Sequence, residues 1–362
     1  MKKSLFIMAL GAIALTSCSQ DEIIEVQKDA ISFAAFSDNA SRATETTTAT
    51  IESFKVWGVS EQERGILYIP GVVYNRSSAG APATGKWVRY DSGYYWPAGE
   101  MNFWSVSPSD VANVELASTY DNVTISNYTA GVASGENYDA TSQVDLLYAV
   151  AADQTKATDA GNVDLHFKHA LSQVEFKVKV DNTFPQDIDV TVNSVKINQL
   201  STTETFTFNI DGTAQWTTTA ATKKDYIVNT FVGENNTIHY TVGTAKETGL
   251  TTSMFVIPQA KNTAATQSAG VWDANGLFIL DAYITTTTVG GDVVKLVTEP
   301  TYVPYVFDWQ PGYKYVYTFT YSKTGNGGVD QGGDDQLVKI LLTCDVTPFA
   351  PTDPAETTVH LQ

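Results

Sequence analysis

Past its first residues, the chain is written in period two. "SQVEFKVKV" (172–180) is the plainest case, with Val174, Phe176, Val178 and Val180 alternating with Gln173, Glu175, Lys177 and Lys179. Alternation of this kind places apolar side chains on one face of an extended strand and polar ones on the other. The pattern recurs in "ESFKVWGVS", "GILYIPGVVYN", "KWVRYDSGYYWP", "MNFWSVSP", "VDLHFKHA", "TFTFNIDG", "TIHYTVG", "MFVIPQ", "LFILDAYI" and "GYKYVYTFTY", with turn-forming residues between. In "IDVTVNSVKI" the parity slips from Ile188, Val190 and Val192 to Val195 and Ile197. A bulge near Asn193–Ser194 would restore the register. No long amphipathic helix interrupts the series, so the fold class is all-β.

Short strands with one polar face predict antiparallel sandwiches rather than a parallel sheet covered by helices. About 340 residues past the leader exceed what a single core usually covers, which predicts two domains. The break is expected near residues 167–172, where well-formed strands restart after a looser region, 107–162.

Two stretches near the ends stand apart. "QLVKILLTCDVTPF" (336–349) reads as a strong strand, with Val338, Ile340, Leu342, Cys344 and Val346 on one face, yet it follows the linker-like "KTGNGGVDQGGDD". "DAISFAAF" reads as a short strand with Ile31, Phe33 and Ala35 on one face, and it precedes "SRATETTTAT" (41–50). That Thr-rich segment is expected to be exposed, and exposed loops are where proteases cut.

The chain opens "MKKSLFIMALGAIALTSCSQDE": two lysines, an apolar run and a small-residue patch ending at Cys18. This is a secretory signal, too short to be a membrane span. Its ending "LTSC" resembles the bacterial lipobox, which implies cleavage before Cys18 and a lipid on its sulfur. The other reading is an ordinary signal peptide in which Cys18 is incidental. Once Cys18 is lipidated, Cys344 is the remaining thiol of the two cysteines. An internal disulfide is then impossible, and Cys344 is expected to serve as a small hydrophobe.

Net charge is −18, or −20 once Lys2 and Lys3 leave with the leader. So acidic a chain is repelled by nucleic acid and by anionic lipid. The 18 Tyr, 16 Phe and 7 Trp, beside abundant Thr and Val, are strand vocabulary.

Catalytic chemistry is hard to place. His166 and His169, three apart on a strand, point to opposite faces and cannot share a metal, while His239 is expected to face solvent and His360 lies in the tail. Zinc-protease, nucleophile-elbow, phosphate-loop and dinucleotide motifs are missing. Asp330, Asp334 and Asp335 among glycines hint at calcium, but an acidic glycine-rich run reads better as a solvated linker. Trp57, Trp87, Trp96 and Trp104 are expected in the core rather than as a sugar-stacking platform. No enzyme activity, cofactor or metal is expected.

"WPAGEMNFWSVSP", "DLLYA", "LHFKHALSQVEF", "FVIPQ" and "DWQPGYKYVYTFTY" occur in this order, and here the chain resembles the fimbrillin family, subunits of type V pili. "SQDE" after Cys18 resembles the acidic export signal of some surface lipoproteins. The resemblance implies a lipoprotein signal peptide (1–17), a propeptide with a removable strand (18–42) and two tandem transthyretin-like antiparallel β-sandwiches (43–168 and 169–325). A flexible linker and C-terminal donor strand (326–362) would follow. It also implies an outer-membrane precursor, held through lipid on Cys18 and cut between Arg42 and Ala43 by a trypsin-like, arginine-specific protease. The removed strand would carry Ile31, Phe33 and Ala35, and the strand of Val338, Ile340, Leu342, Cys344 and Val346 would complete the next subunit. Partners would be other copies or related pilus subunits, at the cell surface in a fimbrium. The sequence departs from many family members at "VTPF", where a tryptophan is usual, and in the following "APTDPAETTVHLQ". A tip adhesin or surface lipoprotein that binds glycan or host protein without polymerising is the alternative.

Overall fold

The computed structural model describes residues 30–37, 50–61, 66–76, 87–88, 93–131, 143–157, 162–231, 233, 236–249, 251, 253–268, 271–272, 276–288, 290–297, 299–323, 327–329 and 335–348. The described secondary structure is all strand apart from turns and one short 3₁₀ residue.

The first nine strands are β1 (Ser32–Ser37), β2 (Ser53–Ser60), β3 (Ile66–Arg76), β4 (Trp87–Val88), β5 (Met101–Ser107), β6 (Val114–Leu116), β7 (Asn122–Thr129), β8 (Leu147–Gln154) and β9 (Asn162–His169). Seven of them form one sheet in the order β1-β9-β8-β5-β2-β3-β4. Their alternation gives the sheet two apolar faces. One face gathers Phe33, Phe54, Phe103, Leu147, Leu165 and Phe167. The other carries Trp57, Trp104, Val106 and Tyr148 against Val123 and Ile125 of β7.

After the turn at 170–171 come β10 (Ser172–Val180), β11 (Ile188–Asn209), β12 (Ala214–Val228), β13 (Thr237–Tyr240), β14 (Lys246–Glu247), β15 (Met254–Val256), β16 (Ala260–Lys261), β17 (Gln267–Ser268) and β18 (Val271–Trp272). β19 (Leu277–Thr287), β20 (Val293–Val297), β21 (Thr301–Pro304), β22 (Phe307–Asp308), β23 (Tyr313–Tyr321), β24 (Gly327–Val329) and β25 (Asp335–Pro348) complete the series. The large sheet runs β14-β10-β23-β25-β24-β21-β19-β11-β7-β6. Its core is aromatic: Phe176 meets Phe278 edge-on at 5.2 Å, and Phe278 stacks on Tyr305.

The longest strand, β11, has 22 residues. At about 3.3 Å per residue it is long enough to serve both cores. Val190, Val192, Val195 and Ile197 lie in the C-terminal core, and Phe206 and Phe208 lie beneath Trp57 and Trp104. The predicted bulge is present, with the β11–β19 register shifting between Val192 and Ser194.

The structure differs from the sequence reading in four respects. The sheets are not purely antiparallel, since β1 pairs with β9 and β10 pairs with β23 in parallel. Those partners are remote in sequence, and period-two patterning is blind to strand polarity. The cores do not part at residue 168, because Phe206, Phe208, Phe255 and Ile257 pack with the N-terminal tryptophans. The region 107–162 carries β6, β7 and β8. Within the expected linker, Gly327–Val329 forms β24 and pairs with β21 and β25.

The polar face of β10 also behaves unexpectedly. Gln173 and Glu175 are buried, and Glu175 takes Lys314 Nζ at 2.6 Å and a hydrogen bond from Ser253 Oγ. This end of β10 adjoins Leu171 and Phe255 of the tryptophan core, so its outward face meets protein rather than water. A buried charge survives only when paired in this way.

Gly71 sits in the β2–β3 pair at φ +73°, where a Cβ would come 2.8 Å from Trp57 Nε1. Glycine alone adopts this backbone without strain. Gly71→Ala is expected to lower unfolding free energy by about 1–3 kcal/mol, measured as a lower urea midpoint at unchanged slope.

Candidate functional site

The N-terminal sheet is completed at one edge by β1, which lies in a groove. On one side it pairs in parallel with β9 from Ser32↔Asn162 to Ser37↔Phe167. On the other, Ile31 N–H donates to Tyr94 O at 2.8 Å, and Ala30 bridges Tyr95. Ile31, Phe33, Ala35 and Ser37 point inward and are buried, while Ser32 is exposed. The Phe33 ring fills the centre, 5.0 Å from Tyr74, 5.4 Å from Phe103 and 6.4 Å from Phe54, edge-on to each. Outside, Phe36 stacks on His166 at 5.3 Å. Burial of Ile31 and Phe33 contributes on the order of 5 kcal/mol. Removing β1 would leave a row of unpaired backbone groups beside an apolar slot.

The sequence suggested Ile31, Phe33 and Ala35 as one inward face, and the structure brings them together there. It missed the 94–95 wall of the groove, because "YYWP" reads as strand continuation and gives no sign that its backbone closes on β1.

The C-terminal strand lies elsewhere. β25 pairs antiparallel with β23 from Tyr313↔Pro348 to Tyr321↔Ile340, within the C-terminal sheet of its own chain. Ile340 and Cys344 are buried, and Leu342 and Val346 are half-buried against the same core. The side chain of Val338 lies outside the described ones. In this chain, then, the strand expected to complete a neighbour is seated at home, because the exposed edge of β23 and the apolar slot beside it offer the same complementarity intramolecularly. The Cys344 thiol is pushed up to about 12 by burial, an effect opposed by its hydrogen bond to Tyr317 and reinforced by Asp345.

The remaining sequence candidates stay apart. His169 is buried, its Nδ1 3.0 Å from Asp145, while His239 is exposed and 2.8 Å from Asp189. Trp57 and Trp104 are buried, and Trp87 and Trp96 pack half-buried on the groove core. Cys18, Arg42, Ala43, Asp330, Asp334 and His360 lie outside the described residues. Glu61, Glu100 and Asp153 converge at the surface, where Glu61 accepts from Asn102 Nδ2.

The described residues form an all-β chain with three apolar clusters, two of them sharing β11, and an N-terminal edge filled by the chain's own leading strand. Residues 41–343 match the Fimbrillin-like family, and the chain belongs to that family, whose members are structural proteins rather than enzymes. The chain is 24% identical over 231 residues to the fimbrium subunit Fim1C of Phocaeicola vulgatus, across 56% of this chain and 58% of that protein. It therefore spans little more than half the length of this curated relative. The crystal structure of a fimbrial protein from Bacteroides vulgatus ATCC 8482 shares the fold with a TM-score of 0.58 at 15% identity, covering 89% of this chain and 99% of that one.

Phe33→Ala is expected to cost about 3–5 kcal/mol in the uncut chain, as read by denaturant unfolding. In a Cys18→Ser chain, Cys344 should resist a thiolate-selective reagent at pH 8 and react promptly in denaturant. A thiol value raised from 9.0 to about 12 by folding stabilises fully below pH 9 and is lost as pH rises toward 12, so the unfolding midpoint should fall across that window.

Proposed function

We propose that this chain is a structural subunit of a surface fimbria, polymerising by strand exchange after its N-terminal segment is removed, and so supporting adhesion. The observation that carries the reading is β1: a short strand filling an apolar edge groove, joined to β2 by the stretch that contains Arg42. The family match begins at residue 41, leaving β1 outside it. On this reading both sandwiches are transthyretin-like. The precursor is held in the outer membrane by lipid on Cys18, an arginine-specific protease cuts between Arg42 and Ala43, and β1 departs with the lipid.

The vacated groove then needs a strand, and β25 of another copy supplies it. Because β25 is seated in its own C-terminal sheet, donation is an exchange: it leaves β23 and enters the neighbour's groove. Such head-to-tail contact does not close on itself, and repetition gives a filament. The home seat of β25 also favours a second reading, a self-contained surface lipoprotein or tip adhesin that binds glycan or host protein without polymerising.

Treatment with an arginine-specific protease, followed by N-terminal sequencing and electron microscopy, separates the two. Strand exchange predicts an N-terminus at Ala43 and filaments, and cut monomers that stay single would favour the self-contained protein. Arg42→Ala should leave the chain uncut, lipidated and monomeric, and polymer ladders in that variant would refute this processing site.

A further inference from the structure

Period two is broken in chemistry, though not in geometry, on the inward face of β11. Thr202, Glu204, Phe206 and Phe208 share that face and are all buried. Phe206 and Phe208 fill the tryptophan core, but Glu204 sets a carboxylate, 2% exposed, where the pattern calls for an apolar side chain. It accepts a hydrogen bond from Ser201 Oγ. Burying a carboxylate costs free energy that a purely structural position could avoid.

Glu204 lies where β11 crosses from one core to the other. Leu200 belongs to the C-terminal core and Phe206 to the tryptophan core, and between them the β11–β12 register shifts repeatedly. A cavity of about 280 Å³ opens here, lined by Glu204, Trp216, Lys223, Lys261 and Phe307 together with the segment 257–260. Its walls are clamped by Gln259. Ser201 N–H donates to Gln259 Oε1 at 3.0 Å, and Gln259 Nε2 donates back to Ser201 O at 3.1 Å and to Ile257 O at 3.0 Å. Trp216 is held as firmly, with Nε1–H donating to Ala170 O at 2.7 Å and the ring packed on Phe206 at 4.8 Å. With its N–H spent, the indole offers a ligand only ring surface.

These walls define a ligand. Ligand cavities start at about 300 Å³, so this one takes a single ring. Two lysines and one glutamate give it a formal charge of +1, in a chain whose net charge is −18. A monoanion balances that charge, a neutral or zwitterionic ligand leaves it standing, and a dianion overshoots it. The buried carboxylate demands hydrogen-bond donors, which a flat aromatic acid lacks, and the aromatic wall demands an apolar face. We propose that the cavity binds one acidic monosaccharide unit, a pyranose carrying a single carboxylate. Its hydroxyls donate to Glu204, its carboxylate pairs with Lys223 and Lys261, and its C–H face lies on Trp216. Every wall belongs to one chain, so the site is independent of strand exchange.

The test is a titration of the full Cys18→Ser chain with methyl glucuronide, the methyl glycoside of N-acetylneuraminic acid, methyl glucoside and acetate. Tryptophan fluorescence and saturation-transfer NMR give the affinities. At least one of the two acidic sugars is expected to bind, with methyl glucoside about tenfold weaker or worse, acetate silent, and the acidic sugar weakened by added salt. Lys261→Gln, at a half-buried wall position, should weaken the acidic sugar about tenfold or more and leave methyl glucoside unchanged. Glu204→Gln should weaken both sugars; should that variant fail to fold, Lys261→Gln still decides. Methyl glucoside binding as tightly as the acids, acetate matching them, acid binding untouched by Lys261→Gln, or neither acid binding at millimolar concentration would each overturn the site. None of these results bears on whether the chain is a fimbrial subunit, which the protease experiment above tests separately.

Discussion

The seating of the Phe33 ring among Tyr74, Phe103 and Phe54 is the contact on which the N-terminal half depends. It is the one large side chain of β1 that reaches the middle of its sheet's core, and Ile31 and Ala35 only flank it. β1 is otherwise a short strand of six residues at an edge, held by its ladder to β9, by the backbone contacts of Ala30 and Ile31 with Tyr95 and Tyr94, and by the Phe36–His166 stack. Edge strands with so little grip form when a side chain fixes them. The sheet is thereby completed along this edge by a segment that lies outside the family-matched residues 41–343.

The C-terminal half shows the opposite balance. β25 is longer, pairs with β23 from Ile340 to Pro348 and with β24 at Asp335 and Ile340, and contributes Ile340 and Cys344 to a core already crowded with aromatics. Its hold is spread across many modest contacts, with no single ring dominating. The hold on β25 is thus distributed, whereas that on β1 centres on the Phe33 ring.

Much of this was legible in the residues. Alternation in "SQVEFKVKV", "LHFKH" and "YKYVYTFTY" marks strands because a half-buried sheet imposes period two, and the broken parity at Asn193–Ser194 located a bulge because one extra residue must flip a face. Ile31, Phe33 and Ala35 were visible as a face for the same reason. Three things were not. Polarity was hidden because a strand's pattern reads the same in either direction, so the parallel β1–β9 and β10–β23 pairs had no signature. The burial of Gln173, Glu175 and Lys314 depended on a neighbouring core covering a face that looks solvated in one dimension. The home seat of β25 was missed because the glycines before it suggested release, whereas Gly327–Val329 pairs with β25 as a strand.

The strand β11 gives the molecule a mechanical character. Because one unbroken backbone enters both cores, a pull on either half is borne by covalent bonds and by ladders loaded lengthwise in shear. A chain built so would resist hinging between its halves.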